Sequence, residues 1–379
     1  MRRIRVLVVE DSIVMRRAIT TVLGKDSGLE VVGAAVNGRV GLELVAQLKP
    51  DLVTLDIEMP ELDGLAVLRE IRKVDRHIPV VMFSSLTQRG ARATILALPL
   101  GATDYVGKPT NVSSLEEAWR CLESELLPTV RLHGERALQR TAGTSSTSLS
   151  GAPASTPARP SPAVPGSPRP LARPPVTVVC IGVSTGGPNA LAQILGAMTE
   201  PPPVPILIVQ HMPAAFTRLL AERLSGVAPF DVTEAEPGQL VAAGRAYVAA
   251  GGRHLLVRPD HGGVCLQLND EPPENSCRPA VDVLLRSAAA VYGNGVLALI
   301  LTGMGKDGVR GCEAVRAQGG AVFAQDEASS VVWGMPGAVV AANLVDAVWP
   351  LDQVAVELAR VTRFRPSRPV GGAAGEIGK

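Results

Sequence analysis

Hydrophobic positions near the start of the chain fall in short unbroken runs separated by amphipathic stretches. Ile4–Val9 is a run of the kind buried on both faces of a sheet, and Ile13–Leu23 carries helical spacing. Leu29–Ala34 reads as a second strand, with Gly41–Leu48 as the helix after it. Leu52–Leu55 and Pro79–Phe83 are further apolar runs, and Thr103–Val106 is a weaker fifth. Five strands alternating with helices predict an α/β fold: a doubly wound parallel sheet with helices on both faces. Sites in such sheets lie at the carboxyl ends of the strands.

The C-terminal part repeats this style. Val176–Ile181, Ile206–Gln210 and Val296–Leu301 read as buried strands, and Leu191–Met198, Ala214–Leu224 and Ala280–Val291 as helices. Between Asp231 and Leu268 the pattern changes. Ala246–Ala249, His254–Val257 and Val264–Leu268 are short strands punctuated by Gly251-Gly252 and Gly262-Gly263, which predicts an antiparallel hairpin attached to a second parallel sheet.

From Thr141 to Pro175 the chain has no aromatic or acidic residue, and nine prolines follow Ser150. Such a stretch buries too little apolar surface to offset the entropy of ordering it, so it reads as a tether. The expected division is a first domain over 1–127, a Pro/Ser-rich linker over 128–175, a second domain over 176–365 and a disordered tail over 366–379. Basic and acidic residues number 16 and 17 up to 127, 6 and 1 from 128 to 175, and 15 and 18 beyond, so the basic excess sits in the linker.

Composition narrows the function. A formal charge of +1 and an aromatic content of 3% argue against a nucleic-acid binder. Five cysteines, odd in number and without a CxxC pair, argue against a disulfide framework or a zinc ribbon and for a reducing compartment. The basic start Met-Arg-Arg-Ile-Arg is followed by too short an apolar run for a signal peptide, and Ala288–Leu301 is broken by Gly293-Asn294-Gly295. A cytoplasmic protein with no direct membrane insertion is expected.

Glu10 and Asp11 follow the first strand and Asp56 ends the third. On adjacent parallel strands these carboxylates converge, and their repulsion calls for a divalent cation such as Mg2+. Lys108 follows the fifth strand and Ser84 ends the fourth. Carboxylate, metal, lysine and hydroxyl are the parts needed to hold an acyl phosphate, although Asp11 alone reads equally well as a helix cap. The segments VLVVEDS, PDLVTLDIEMPELDG, VVMFSS and DYVGKP together resemble the receiver domain of two-component response regulators over about residues 3–126. The resemblance implies a flavodoxin-like fold with Asp56 as phospho-acceptor. It also implies a Mg2+ site of Glu10, Asp11, Asp56 and Glu58, and a switch formed by Ser84, Tyr105 and Lys108.

A second site follows the linker. Gly182-Val183-Ser184-Thr185-Gly186 fits G-x-S-x-G between a predicted strand and a helix. A glycine turn of this kind either presents a nucleophile or cradles a phosphate. His211 directly follows the next strand and Asp307 follows Val296–Leu301, so Ser, His and Asp come after three separate strands. His254 and His261 flank the hairpin and read as turn or surface residues, while Asp307 taken alone reads as a helix cap. The chain order Ser, His, Asp differs from that of α/β-hydrolases.

GVSTGGP, VQHMPAAFTRLLAERL, LTGMGKDG and AQDEASSVVWGMPGA resemble the catalytic domain of the chemotaxis protein-glutamate methylesterases, the CheB family, over about Val176 to Leu358. The resemblance implies a Ser184–His211–Asp307 triad with the Met304 backbone N–H as oxyanion donor. It implies hydrolysis of glutamate methyl esters and deamidation of glutamines on chemoreceptors, with a chemotaxis histidine kinase as phosphodonor and no cofactor for hydrolysis. Trp333 stands where phenylalanine is usual and Ala280 where serine is common, and the linker is unusually long. The unphosphorylated receiver is expected to sit over the Ser184 mouth. A binding module without turnover and a nucleotide-binding enzyme are the competing readings. The second lacks both G-x-G-x-x-G and a Walker lysine.

Overall fold

The computed structural model describes residues 2–85, 87–109, 115–144 and 175–363. The N-terminal sheet comprises β1 (Ile4–Val9), β2 (Leu29–Ala35), β3 (Leu52–Asp56), β4 (Val80–Ser84) and β5 (Asp104–Gly107). Its order is β2-β1-β3-β4-β5 and every pairing is parallel. The helices are α1 (Ile13–Gly24), α2 (Gly38–Leu48), α3 (Gly64–Val74), α4 (Gln88–Ala97), α5 (Leu115–Cys121) and α6 (Leu127–Thr144), with a π turn, Leu122–Leu126, before the last. Ser12, Asn37, Asp63 and Thr87 start the first four by accepting an N–H from the first turn. The cap of α1 is therefore Ser12, and Asp11 is left for the cluster beside it.

Helix α6 corrects the expected boundary. Residues 128–144, assigned to the linker, form most of it, because Val130 and His133 are buried against the sheet. His133 Nε2 lies 3.0 Å from Asp104 Oδ2 on β5, so the helix belongs structurally to the first domain. The remaining linker positions, 145–174, and the tail expected over 366–379 lie outside the described residues.

The second sheet contains β6 (Val178–Val183), β7 (Ile206–Gln210), β8 (Val232–Glu234), β9 (Ala246–Val248), β12 (Val296–Ile300), β13 (Ala321–Gln325) and β14 (Ala347–Trp349). Its order is β14-β13-β12-β6-β7-β9-β8, again parallel throughout. The strands β10 (His254–Asp260) and β11 (Gly263–Asn269) form the antiparallel hairpin. Ala246–Val248, expected near the hairpin, instead pairs with β7 in the main sheet. Helices α7 (Gly187–Gly196), α8 (Ala214–Ser225), α9 (Val281–Tyr292), α10 (Val309–Ala317), α11 (Met335–Ala341) and α12 (Val354–Arg363) complete the domain. Among the described residues no helix is long and apolar enough to cross a membrane.

The two domains touch. Helix α4 packs on α8, and Tyr105 on β5 stacks against Phe216 on α8 with ring centroids 5.1 Å apart. A second contact comes from α6, where the Arg136 guanidinium donates to the Ser330 carbonyl.

Candidate active site and receiver pocket

Register builds the first pocket. Val9 of β1 pairs with Leu55 of β3, so Glu10 and Asp56 emerge side by side. Carboxylate oxygens of Glu10, Asp11 and Asp56 lie within 4.8 Å of one another. Ser84 pairs with Gly107, which brings Lys108 to the same edge. Its Nζ donates to Asp56 Oδ2 at 2.7 Å and to Glu10 Oε1 at 3.1 Å.

One ammonium thus faces three carboxylates in a buried corner. Burial, with Asp56 beside it, pushes the Glu10 carboxyl up to about 7. Burial also raises Asp56 in spite of Lys108. For Lys108, burial alone would lower the ammonium, but Glu10 and Asp56 hold it above its ordinary value. Glu10 Oε2 is buried and lies 3.1 Å from Lys108 Nζ, an ion pair without hydrogen-bond geometry. Three converging carboxylates, with one ammonium to offset them, form an oxygen-only set that fits a hard divalent cation. Glu58 lies beside the cluster. Its carboxylate accepts from Ser85 Oγ at 2.6 Å, and only its backbone N–H reaches Asp56, at 3.1 Å. The Ser84 hydroxyl is buried and donates to the Ser85 carbonyl at 3.2 Å, and Tyr105 points at the other domain.

The second pocket is built the same way. Val183 pairs with Gln210 and Gly182 with Ile300, so the residues after β6, β7 and β12 gather at one edge. Gly186 at the start of α7 has φ +78°, the left-handed conformation the turn needs. Gly303 is required for space, since a Cβ there would meet Ser184 Cβ at 2.8 Å. The Ser184 main chain is pinned on both sides, donating to the Thr302 carbonyl and accepting from Gln210 Nε2, each at 3.0 Å.

His211 Nε2–H donates to Asp307 Oδ2 at 2.8 Å. Asp307 also accepts from the Val281 and Asp282 N–H groups at 2.6 and 3.1 Å. These open α9, which has no side-chain cap of its own. Asn275 Nδ2 and the Gly308 N–H, both at 2.9 Å, complete the set. Burial alone would raise the Asp307 carboxyl, but His211 and the helix N–H groups hold it below the usual range. It does not cap α10, which starts from Gly308. For His211, burial would lower the imidazole, but hydrogen bonds to Asp307 and Cys277 hold it up at about 9. Cys277 Sγ lies 3.5 Å from Nδ1, the ring nitrogen that Asp307 leaves free.

The Met304 N–H has no acceptor among the described residues and its side chain is exposed, beside the Ser184 turn. His261 is exposed at the hairpin tip as expected. His254 is not a surface residue. It is fully buried, accepting the Ala280 N–H at Nδ1 and lying 3.1 Å from the Pro272 carbonyl through Nε2. Asn275 and Cys277 were missed from sequence. They sit in an irregular segment with no periodic signal, and only the folded chain brings it over His211.

A family profile described as CheB methylesterase matches residues 179–358, and one described as response regulator receiver domain matches residues 6–120. A protein of Trichodesmium erythraeum called protein-glutamate methylesterase/protein-glutamine glutaminase is 44% identical, over 95% of this chain and 99% of its own length. A protein of the same name from a Nocardioides species is 48% identical, over 98% of this chain and 99% of its own. The crystal structure of the Thermotoga maritima CheB methylesterase catalytic domain is similar at 41% identity with a TM-score of 0.48. It covers 49% of this chain and 98% of that one.

Proposed function

Because this chain belongs to the protein-glutamate methylesterase/protein-glutamine glutaminase family, we propose that it hydrolyses glutamate methyl esters, and deamidates glutamines, under the control of a phosphorylated receiver. The observation that carries the reading is the His211–Asp307 pair, set at the same sheet edge as Ser184. In this reading Ser184 Oγ attacks the side-chain carbonyl. Asp307 occupies Nε2, so Nδ1 is the nitrogen that takes the serine proton and later returns it to the departing methanol or ammonia. The Met304 N–H is an uncommitted donor for the oxyanion, a role worth about 2.7–4 kcal/mol. Water then frees the glutamate carboxylate. The substrates are methylated chemoreceptors and the phosphodonor is a chemotaxis histidine kinase, which makes the protein cytoplasmic.

Asp56 is the phospho-acceptor, and Glu10, Asp11 and Asp56 would hold Mg2+, whose charge offsets that of the incoming phosphoryl group. Control reaches the hydrolase through Tyr105 on Phe216 and through Arg136 on Ser330. The second contact adjoins the turn itself, because Val331 packs over Gly186. Methanol release from methylated receptors tests the activity. Ser184→Ala should lower it by roughly 10⁴-fold or more while circular dichroism stays unchanged. A folded variant that keeps substantial activity removes Ser184 from its role.

A further inference from the structure

Two groups need the same nitrogen. The ring of His211 is fixed with Nε2 on Asp307, so the base is Nδ1, and the group within reach of Nδ1 is the Cys277 thiol at 3.5 Å. Ser184 Oγ makes no hydrogen bond to the ring. The thiol is also held in place. Glu274 and Cys277 exchange backbone hydrogen bonds at 3.1 and 2.9 Å, Glu274 is paired with Arg286, and Asn275 is tied to Asp307 and Asp282. Cys277 is partly buried, whereas Cys180, Cys265 and Cys312 are buried. Burial raises the thiols of Cys180 and Cys312 far above the ordinary value, which makes them poor nucleophiles.

We propose that Cys277 is a peroxide-reactive modification site that shares the His211–Asp307 pair with Ser184, and that its oxidation disables the base. The inference rests on the reading of His211 as that base. In the step, the Cys277 sulfur attacks one oxygen of a hydroperoxide as Nδ1 takes the thiol proton. An S–O bond forms and the O–O bond breaks. The departing hydroxide, or alkoxide, collects the proton from His211. Sulfur is oxidised by two electrons to the sulfenic acid, and hydrogen peroxide is reduced to water, or an organic hydroperoxide to its alcohol. Two equivalents of a small thiol reverse it, giving the free cysteine, a disulfide and water. The added oxygen lies against Nδ1 and takes the space a serine proton transfer needs.

The full-length protein is treated with hydrogen peroxide, and sulfenic acid at Cys277 is trapped with dimedone and followed by peptide mass spectrometry. Trapping should fall about 100-fold in His211→Gln, the order of effect expected from losing a general base, and should be kept or increased in Ser184→Ala. This readout needs no ester hydrolysis, so it decides the inference even if the methylesterase reading fails. If Cys265, buried in the folded protein, also reacts in His211→Gln, that variant has unfolded, and Asp307→Asn takes its place with the same expectation. In parallel, hydrolysis should fall in step with Cys277 oxidation and return with dithiothreitol. Cys277→Ser, normalised to its own untreated rate, should resist peroxide. Equal trapping with and without His211, or full hydrolysis by protein oxidised at Cys277, overturns the proposal.

Discussion

Asp56 and Asp307 both stand at the carboxyl edge of a parallel sheet, both are buried, and their surroundings push them in opposite directions. Asp56 receives Lys108 and one backbone N–H, shares its corner with Glu10 and Asp11, and is raised. Asp307 receives His211, Asn275 and three backbone N–H groups, two of them from a helix N-terminus, and is lowered. The fold supplies the same address in each domain, and the count of donors decides what the carboxylate is for. In the proposed reading, the under-satisfied carboxylate is kept available to acquire a cation and a phosphoryl group. A saturated one is a permanent anion that fixes and charges an imidazole.

Exchanging either for asparagine breaks the comparison most sharply. Asp307→Asn should cost about 10⁴-fold in kcat for methanol release, because the imidazole loses both its tautomer and its counter-charge. Asp56→Asn should leave basal hydrolysis standing and abolish its response to a small phosphodonor. A large basal loss from Asp56→Asn, or a normal rate from Asp307→Asn, would undo the division of labour. Chelation of divalent cations sharpens the same contrast. EDTA should remove phosphodonor activation, read as methanol release with and without phosphodonor, and leave the basal rate in place.

A smaller effect concerns pH. His211 must be neutral to take a proton, and its surroundings hold it protonated up to about 9. As pH falls through that value kcat/KM should decline, roughly tenfold per unit further down, so its acidic limb lies above the ~6.5 of an ordinary imidazole. Cys277→Ala removes one of the groups that hold the ring up and should move the limb to lower pH. A limb at the ordinary value in the unmodified protein would mean that the Asp307–imidazole pair is weaker than its geometry implies.

Much of this was legible from the sequence, and each exception has its own physical cause. Strand ends at Val9, Asp56, Ser84 and Gln210 could be read from apolar runs, and the one read at Ile181 falls two residues short of the end of β6 at Val183; a parallel sheet converts strand ends into one shared edge. That logic places Glu10, Asp11, Asp56, Ser184 and His211 without any knowledge of loops. Asn275 and Cys277 lie in a connection with no period, where position depends on contacts made after folding. His254 was misread because flanking glycines suggested a turn, while β10 begins at that residue and buries it. Strands β8 and β14 are three residues each, too short to carry an alternation. Helix α6 was hidden by the tether that follows it, although Val130 and His133 lie on one face at helical spacing.

The Tyr105–Phe216 stack carries a consequence for the receiver itself. If phosphorylation of Asp56 weakens that contact, then by thermodynamic reciprocity the contact must weaken Asp56's hold on a phosphoryl group by the same factor. An aromatic pair is worth about 0.5–1.5 kcal/mol, which corresponds to roughly two- to twelvefold in either equilibrium. Phe216→Ala, a change in the hydrolase domain, should therefore tighten binding of the phosphoryl mimic beryllofluoride to Asp56 by about that factor, as measured by calorimetry. Unchanged affinity would mean that the ring contact is indifferent to the state of the receiver. In that sense the hydrolase sets the threshold at which its own activating signal is received.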